Sequence, residues 1–276
     1  LTLSPPPPAR PVPGDEIVRA EGVSHSYLPH QEALRDVTLS LREGEIVSVV
    51  GPNGSGKSTL AHALAGLLRP AAGEVLLRGR PVREAPGRVG LVFQNPDDQI
   101  FSPRVEDEVA FAPRNAGLGE EEVERRVGEA LEAVGLLGRE EADPFALSKG
   151  ERQKMAVAAV LAQRPEVLIL DEPTTGLDAR ERKGMLSLLG RLGEAGHAIL
   201  LVTHSMEVAA EMADRVVVLR EGTIAAEGGP REIFARPELL AAASLAAPAV
   251  VTLTAPFGPP ALTLDELRRR AGRRER

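Results

Sequence analysis

The sequence predicts an α/β domain whose core is a largely parallel sheet covered on both faces. Three observations point there. Short, continuous apolar runs recur at 46–50, 167–170, 199–202 and 216–219, the length and composition of strands buried on both sides. Helical segments of roughly 10–15 residues separate the later runs, as crossover connections between parallel strands require. A glycine-rich turn at 51–56 follows the first run and opens into a helical stretch, joining strand to helix where such sheets present their carboxyl ends.

Each element can be justified in order. Residues 1–13 hold six prolines and read as an extended tail or linker. Ordered patterning begins near Ile17. Ile46 to Val50 is the first buried strand, and Lys57 to Leu68 the first helix. Glu74 to Arg78 and Val89 to Phe93 read as further strands. From Val105 to Gln163 the pattern is helical with polar breaks. Val167 to Leu170, Ile199 to Val202 and Val216 to Leu219 complete the strands. The 26 uncharged residues from Leu239 to Leu264 include Pro248, Pro256, Pro259 and Pro260. They are expected to form a packed helix and a Pro-rich connector rather than a membrane span. No basic start followed by an apolar run marks a secretory signal.

The chain has 276 residues, 43% hydrophobic and 26% charged, enough for a substantial core. Lys and Arg total 33 against 40 Asp and Glu, a net charge of -7. That balance argues against nucleic acid as a partner, because such binding needs surplus cations. With no cysteine, disulfides, thiol catalysis and Cys-ligated zinc are excluded. Six of the last nine residues are Arg; they read as a solvated tail or as a contact for anionic lipid or a partner.

Residues Gly51, Pro52, Asn53, Gly54, Ser55, Gly56, Lys57 and Ser58 satisfy the spacing G-x-x-x-x-G-K-[ST]. In this strand–turn–helix context the glycines let successive N–H groups point at one centre, and the helix N-terminus adds its positive dipole end. Lys57 supplies a point charge for β- and γ-phosphates, and Ser58 a hydroxyl for Mg²⁺. Asp171 and Glu172 close an apolar strand. Such a pair can merely cap the next element. It can also hold a metal through Asp171 and polarise a water through Glu172. Beside phosphates the pair implies Mg²⁺. Ser148 opens a helix and suits an N-cap; with Gly150 it could also form a second anion site.

Together these motifs resemble the ATP-binding-cassette (ABC) ATPases over residues 17–235. Residues 51–58 resemble the Walker A motif, 167–172 the Walker B motif and 147–151 the signature, with Lys149 and Glu151 in place of the usual glycine and glutamine. Gln94 resembles the Q-loop glutamine, 176–178 the D-loop and His204 the switch histidine. The resemblance implies a P-loop fold with a mainly parallel core, a helical subdomain at about 97–163 and a small N-terminal antiparallel β region. The ATPase domain would span 14–236, followed by an extension at 237–276. It implies ATP and Mg²⁺ as ligands, with Thr59 beside the cradle and Tyr27 stacking on adenine. Catalytic roles would fall to Glu172, His204, Gln94 and Lys57, and metal contacts to Ser58, Gln94 and Asp171. It also implies a head-to-tail dimer in which Ser148, Gly150 and Asp178 of one subunit face the nucleotide of the other.

Residues 95–111 and 147–154 resemble the ATPases of energy-coupling-factor (ECF) and cobalt- or nickel-type importers. The implied function is ATP hydrolysis driving uptake of a vitamin or of cobalt or nickel. The implied partners are a second ATPase subunit, identical or not, a transmembrane coupling protein and a substrate-binding membrane subunit. The implied location is peripheral, on the cytoplasmic face of the membrane. Asp97, Asp98, Glu106, Asp107 and Glu108 beside Ile100, Phe101, Val105 and Phe111 could receive a partner helix, or simply form an amphipathic helix. Leu262 to Leu267 reads as a small amphipathic element. The alternatives are the ATPase of a conventional ABC importer or exporter, and a soluble ABC protein acting on ribosomes or DNA.

Overall fold

A computed structural model describes residues 13–28 and 30–272. The expected proline-rich tail, apart from Pro13, and the last arginines lie outside the described residues. Two sheets form the frame. The first is antiparallel, in the order β2(Gln31–Arg42), β1(Glu16–Leu28), β4(Ala72–Leu77), β5(Arg80–Pro81). The second runs β10(Thr223–Gly228), β9(Arg215–Arg220), β3(Ile46–Val50), β8(Ala198–Val202), β7(Val167–Asp171), β6(Val89–Val92). Its four pairings from β9 to β6 are consistent with the expected parallel core: β3 pairs parallel with β9 and β8, and β7 parallel with β8 and β6. Only β10 joins antiparallel, by a hairpin from β9.

Apart from Ser48 in β3 and Asp171 at the end of β7, the central strands are apolar because both faces are covered. All five residues of β3, β7 and β8 are buried. On one side Val47, Val49, Ile169 and Leu200 pack with α1(Lys57–Leu64) and the antiparallel sheet. On the other, Leu168, Leu170, Ile199 and Leu201 pack with α5(Ala179–Glu194) and the helices inserted between β6 and β7. These are α2(Val105–Asn115), α3(Glu120–Val134) and α4(Lys149–Leu161), which pack on one another through Val109, Val127, Leu131 and Met155.

Two boundaries differ from expectation. Helix α1 stops at Leu64 rather than Leu68, because Gly66 turns left-handed at φ 74° and the Leu67 and Leu68 amides both fold back onto the His62 carbonyl. Helix α6(Met206–Met212) lies between β8 and β9, and beyond β10 come α7(Pro230–Phe234), α8(Pro237–Ala242), α9(Ala249–Thr254) and α10(Leu264–Gly272). The expected connector therefore contains a second helix, α9, which starts just after Pro248. Ile233, Phe234, Leu240, Val250 and Val251 bury one face of this extension against Val50, Val216 and Val218. Among the described residues no helix is long and apolar enough to cross a membrane.

Candidate functional site

Strand order assembles the site. In the sequence β3–β8–β7–β6, four neighbouring parallel strands end at the same edge of the sheet. Beyond β3 lies the glycine-rich turn, beyond β8 Thr203 and His204, at the end of β7 Asp171 and Glu172, and beyond β6 Gln94. Carboxyl ends of parallel strands are where open α/β sheets bind ligands.

The turn is held by close backbone approach. A Cβ on Gly51 would lie 2.2 Å from the Leu219 carbonyl oxygen. Gly56, at φ 100°, passes so near Ala33 that a Cβ would meet that carbonyl at 2.3 Å. Only glycine fits either position. Lys57 is buried, and its Nζ donates to the carbonyls of Gly51 and Pro52 at 2.9 Å each. An ammonium has three N–H donors, so one remains for a ligand. The buried Ser55 hydroxyl has no hydrogen-bond partner among the described residues. Pro52, Asn53 and Gly54 form the rim of the turn, with Asn53 and Gly54 exposed, while Thr59 is buried one turn into α1.

Burial pushes the Lys57 ammonium below its usual range, a shift opposed by the charges of Glu172 and Asp171. Burial likewise pushes the Asp171 carboxyl up; a hydrogen bond with Ser58 counters this, and the Glu172 charge adds to it. Both directions describe a desolvated cluster that gains from added ligand charge: anionic oxygens beside Lys57, and a cation between Ser58 and Asp171. Among the described residues no group of three His, Cys, Asp or Glu gathers to hold a metal by itself. The donors fit a hard cation held jointly by a hydroxyl, a carboxylate and ligand phosphates, as Mg²⁺ prefers.

Glu172 is the most elaborately positioned carboxylate. Its backbone is left-handed at φ 48°, a conformation costing on the order of 1–3 kcal/mol for a residue with a Cβ. The surroundings enforce it: the Glu172 amide donates to Val202 O at 2.9 Å, and its own carbonyl accepts the Thr175 amide at 3.1 Å. The side chain, only 8% exposed, accepts from Thr175 Oγ1 at 3.2 Å, Thr203 Oγ1 at 3.5 Å and His204 Nδ1 at 2.7 Å. Where the carboxylate only accepts, Nδ1 is the donor, and the ring is otherwise exposed. The strand order thus brings Glu172 and His204 together. Gln94 is exposed beyond β6; continuing the Val92–Leu170 register places Phe93 level with Asp171 and Gln94 level with Glu172.

Tyr27 lies near the β1–β2 turn, half exposed, with its hydroxyl 3.3 Å from Thr59 Oγ1 and its ring edge-on to His25 at 4.9 Å. It lines an open cavity of about 570 Å³ with Ser26, Leu28, His30 and Glu32. The hydroxyl contact brings this ring to the helix that begins the cradle.

Ser148 serves as the N-cap of α4. Its Oγ accepts the Glu151 amide at 3.2 Å while Glu151 accepts the Ser148 amide at 2.9 Å, a capping box. This explains Glu151: a carboxylate at the third helical position completes the box. Asp178 caps α5 in the same way, with Glu181 as its partner. Two residues escaped the sequence reading. Glu181 accepts from the Ser148 hydroxyl at 3.0 Å and the Gly150 amide at 3.2 Å; its only sequence signal is its place three residues after Asp178. Arg152 pairs electrostatically with Asp97 at 2.8 Å and donates to the Leu147 carbonyl at 2.6 Å, tying the start of α4 to the segment after Gln94.

The acidic region at 97–108 is less acidic on its surface than its sequence implies. Glu108 turns inward, 4% exposed, and accepts the amides of Phe101 and Ser102 at 3.1 and 2.9 Å. Ile100 and Val105 are core. Asp97 pairs with Arg152, Glu106 with Arg104 and Asp107 with Arg114. Phe101 and Phe111 remain outside, 61% and 45% exposed, stacked edge to face at 4.5 Å.

Comparison with known proteins gives the family of the chain. Residues 34–175 match the family described as ABC transporter. The chain is 48% identical over 259 residues to a protein of Caldanaerobacter subterraneus subsp. tengcongensis whose name assigns it provisionally to the ABC transporter ATP-binding proteins; the match takes in 92% of this chain and spans 46% of that relative. It is 45% identical over 244 residues to the energy-coupling factor transporter ATP-binding protein EcfA of Methanothermobacter thermautotrophicus, covering 86% of this chain and 78% of that one. Among solved structures, CbiO1 of Clostridium perfringens, part of the ABC transporter complex CbiONQ, superposes with a TM-score of 0.74 at 33% identity, over 83% of this chain and 94% of that one.

Proposed function

The chain belongs to the ABC transporter family and carries its ATPase domain; from that premise we propose that it binds and hydrolyses ATP to power a membrane importer of the energy-coupling-factor type. The observation that carries this reading is the convergence, at four adjacent strand ends, of a buried lysine with a spare donor, a Ser58–Asp171 pair and a Glu172–His204 pair. Lys57 and the amides of residues 56–59, at the start of α1, bind the phosphates, and Tyr27 stacks on the base. Ser58, Asp171 and Gln94 would hold Mg²⁺, which when bound offsets the phosphate charge. Glu172 orients a water, which attacks the γ-phosphorus as the bond to the β-phosphate oxygen breaks. The water proton passes to Glu172, and phosphate and ADP leave. His204 holds Glu172 through Nδ1 and presents Nε2 toward the γ-phosphate. A second subunit supplies Ser148, Gly150 and Asp178 across the nucleotide.

The relatives named EcfA and CbiO1 support a micronutrient, a vitamin or cobalt or nickel, as the cargo. The exposed Phe101–Phe111 pair, following directly on Gln94, suits docking of a transmembrane coupling protein at the cytoplasmic face. The test is affinity purification of the tagged chain from detergent-solubilised membranes. Capture of an integral membrane protein and a second ATPase subunit is expected. Substituting both Phe101→Asp and Phe111→Asp should abolish that capture with nucleotide binding retained. Recovery of the parent chain free of any membrane protein would refute the reading.

A further inference from the structure

We propose that Glu181 is a built-in placeholder for the γ-phosphate: its carboxylate occupies the anion seat formed by Ser148 and Gly150 until nucleotide on the partner subunit displaces it. The proposal rests on the reading of Ser148 and Gly150 as the seat for the partner's phosphate.

The geometry is that of a bound anion. Glu181 Oε1 accepts the Ser148 hydroxyl at 3.0 Å and the Gly150 amide at 3.2 Å, while Oε2 accepts the Asp178 amide at 3.4 Å. The carboxylate sits where a side chain on residue 150 would be: a Cβ there would lie 2.7 Å from both Cδ and Oε1 of Glu181. The Oε2 contact completes the α5 capping box, whereas the two Oε1 contacts are additional to it. Ser148 is already oriented by its box with Glu151, and the Glu181 amide donates separately to Asp178 Oδ1 at 2.8 Å. The same donors, a hydroxyl and a free helix amide, suit a phosphate oxygen.

A carboxylate and a terminal phosphate cannot share that seat, because like charges in contact repel and the two donors are already used. The γ-phosphate brings more charge and more acceptor oxygens than a carboxylate, so ATP on the partner can evict Glu181. ADP ends at its β-phosphate and leaves Glu181 in place. Because Glu181 also holds the Asp178 amide, its release loosens 176–178 from α4 at the same moment. The seat therefore opens only in competition, and apparent ATP affinity is reduced by the fraction of time it is closed.

The experiment uses the chain purified with its membrane partners, measuring steady-state hydrolysis against ATP concentration and inhibition by ADP. Glu181→Gln keeps the side-chain shape and removes the charge; Glu181→Ala removes both. Both should lower the apparent KM for ATP about three- to tenfold, since two charge-assisted hydrogen bonds at a partly exposed site no longer compete. The ADP inhibition constant should not change. A purely structural role for Glu181 would lower the melting temperature without lowering KM. Ser148→Ala serves as the reference. If Ser148→Ala impairs hydrolysis while both Glu181 variants leave KM unchanged or raise it, the placeholder is wrong and the seat stands. If Ser148→Ala has no effect, the seat itself is wrong and the proposal goes with it.

Discussion

Replacing Glu172 with Gln tests the central step with little disturbance to the fold. The side chain is nearly isosteric and sits 8% exposed between Thr175, Thr203 and His204. The amide oxygen can still accept from His204 Nδ1. The threonine hydroxyls can rotate to accept from the new amide nitrogen, so stability should change by no more than about 1 kcal/mol. The neighbouring Asp171 also loses a charge that pushes its carboxyl up, a small gain. Proton acceptance, in contrast, is lost. A positioned general base contributes about 10²–10⁴-fold, so kcat should fall by that factor, about 3–5.5 kcal/mol in the barrier. ATP should still bind, because Glu172 repels rather than attracts phosphate. Steady-state phosphate release, a fluorescent-nucleotide titration and a melting curve on the same preparations provide the comparison. Hydrolysis within about threefold of the parent, with binding and melting unchanged, would remove Glu172 from the proton-accepting role.

Two further outcomes follow from the same geometry. Lys57→Ala takes away the one cation buried in the cradle and its free donor. ATP affinity should fall about 10- to 100-fold, the value of one charge-assisted contact, and equilibrium titration of ATP reads this directly. Glu266 anchors α10: burial pushes its carboxyl up, but the Leu262 amide and the guanidinium groups of Arg231 and Arg270 outweigh this and hold it below the ordinary value of 4.5. A carboxyl held lower in the folded chain adds stability that is complete above that ordinary value and disappears as pH falls through the folded value. Glu266→Gln at neutral pH should therefore mimic acid, and limited trypsin digestion should cut at Arg268–Arg270 sooner; equal digestion rates in variant and parent would show that the anchor lies elsewhere.

The sequence by itself determined the parts whose chemistry is contiguous. Gly51 to Ser58 follows a mostly apolar strand and opens a helix, so its turn, its converging amides and its lysine are set within a few residues. The buried strands are legible because both faces of the sheet are covered, which leaves no polar position within Val167–Leu170 or Ile199–Val202. Ser148 announces its cap by local pattern alone. Tertiary structure decided what depends on strand order and on which face is buried. Glu172 and His204 lie 32 residues apart and meet only because β7 and β8 are neighbours. Glu181 reaches Ser148 across 33 residues because the starts of α4 and α5 come together. Glu108 reads as one more surface acid, yet it faces inward and accepts the amides of Phe101 and Ser102. The second helix of the extension, α9, forms because Val250 and Val251 find a buried place beside Val50 and Val216. Hydrogen bonds within a turn or cap are specified by neighbours in the chain, whereas burial and long-range pairing exist only after the sheet has chosen its order.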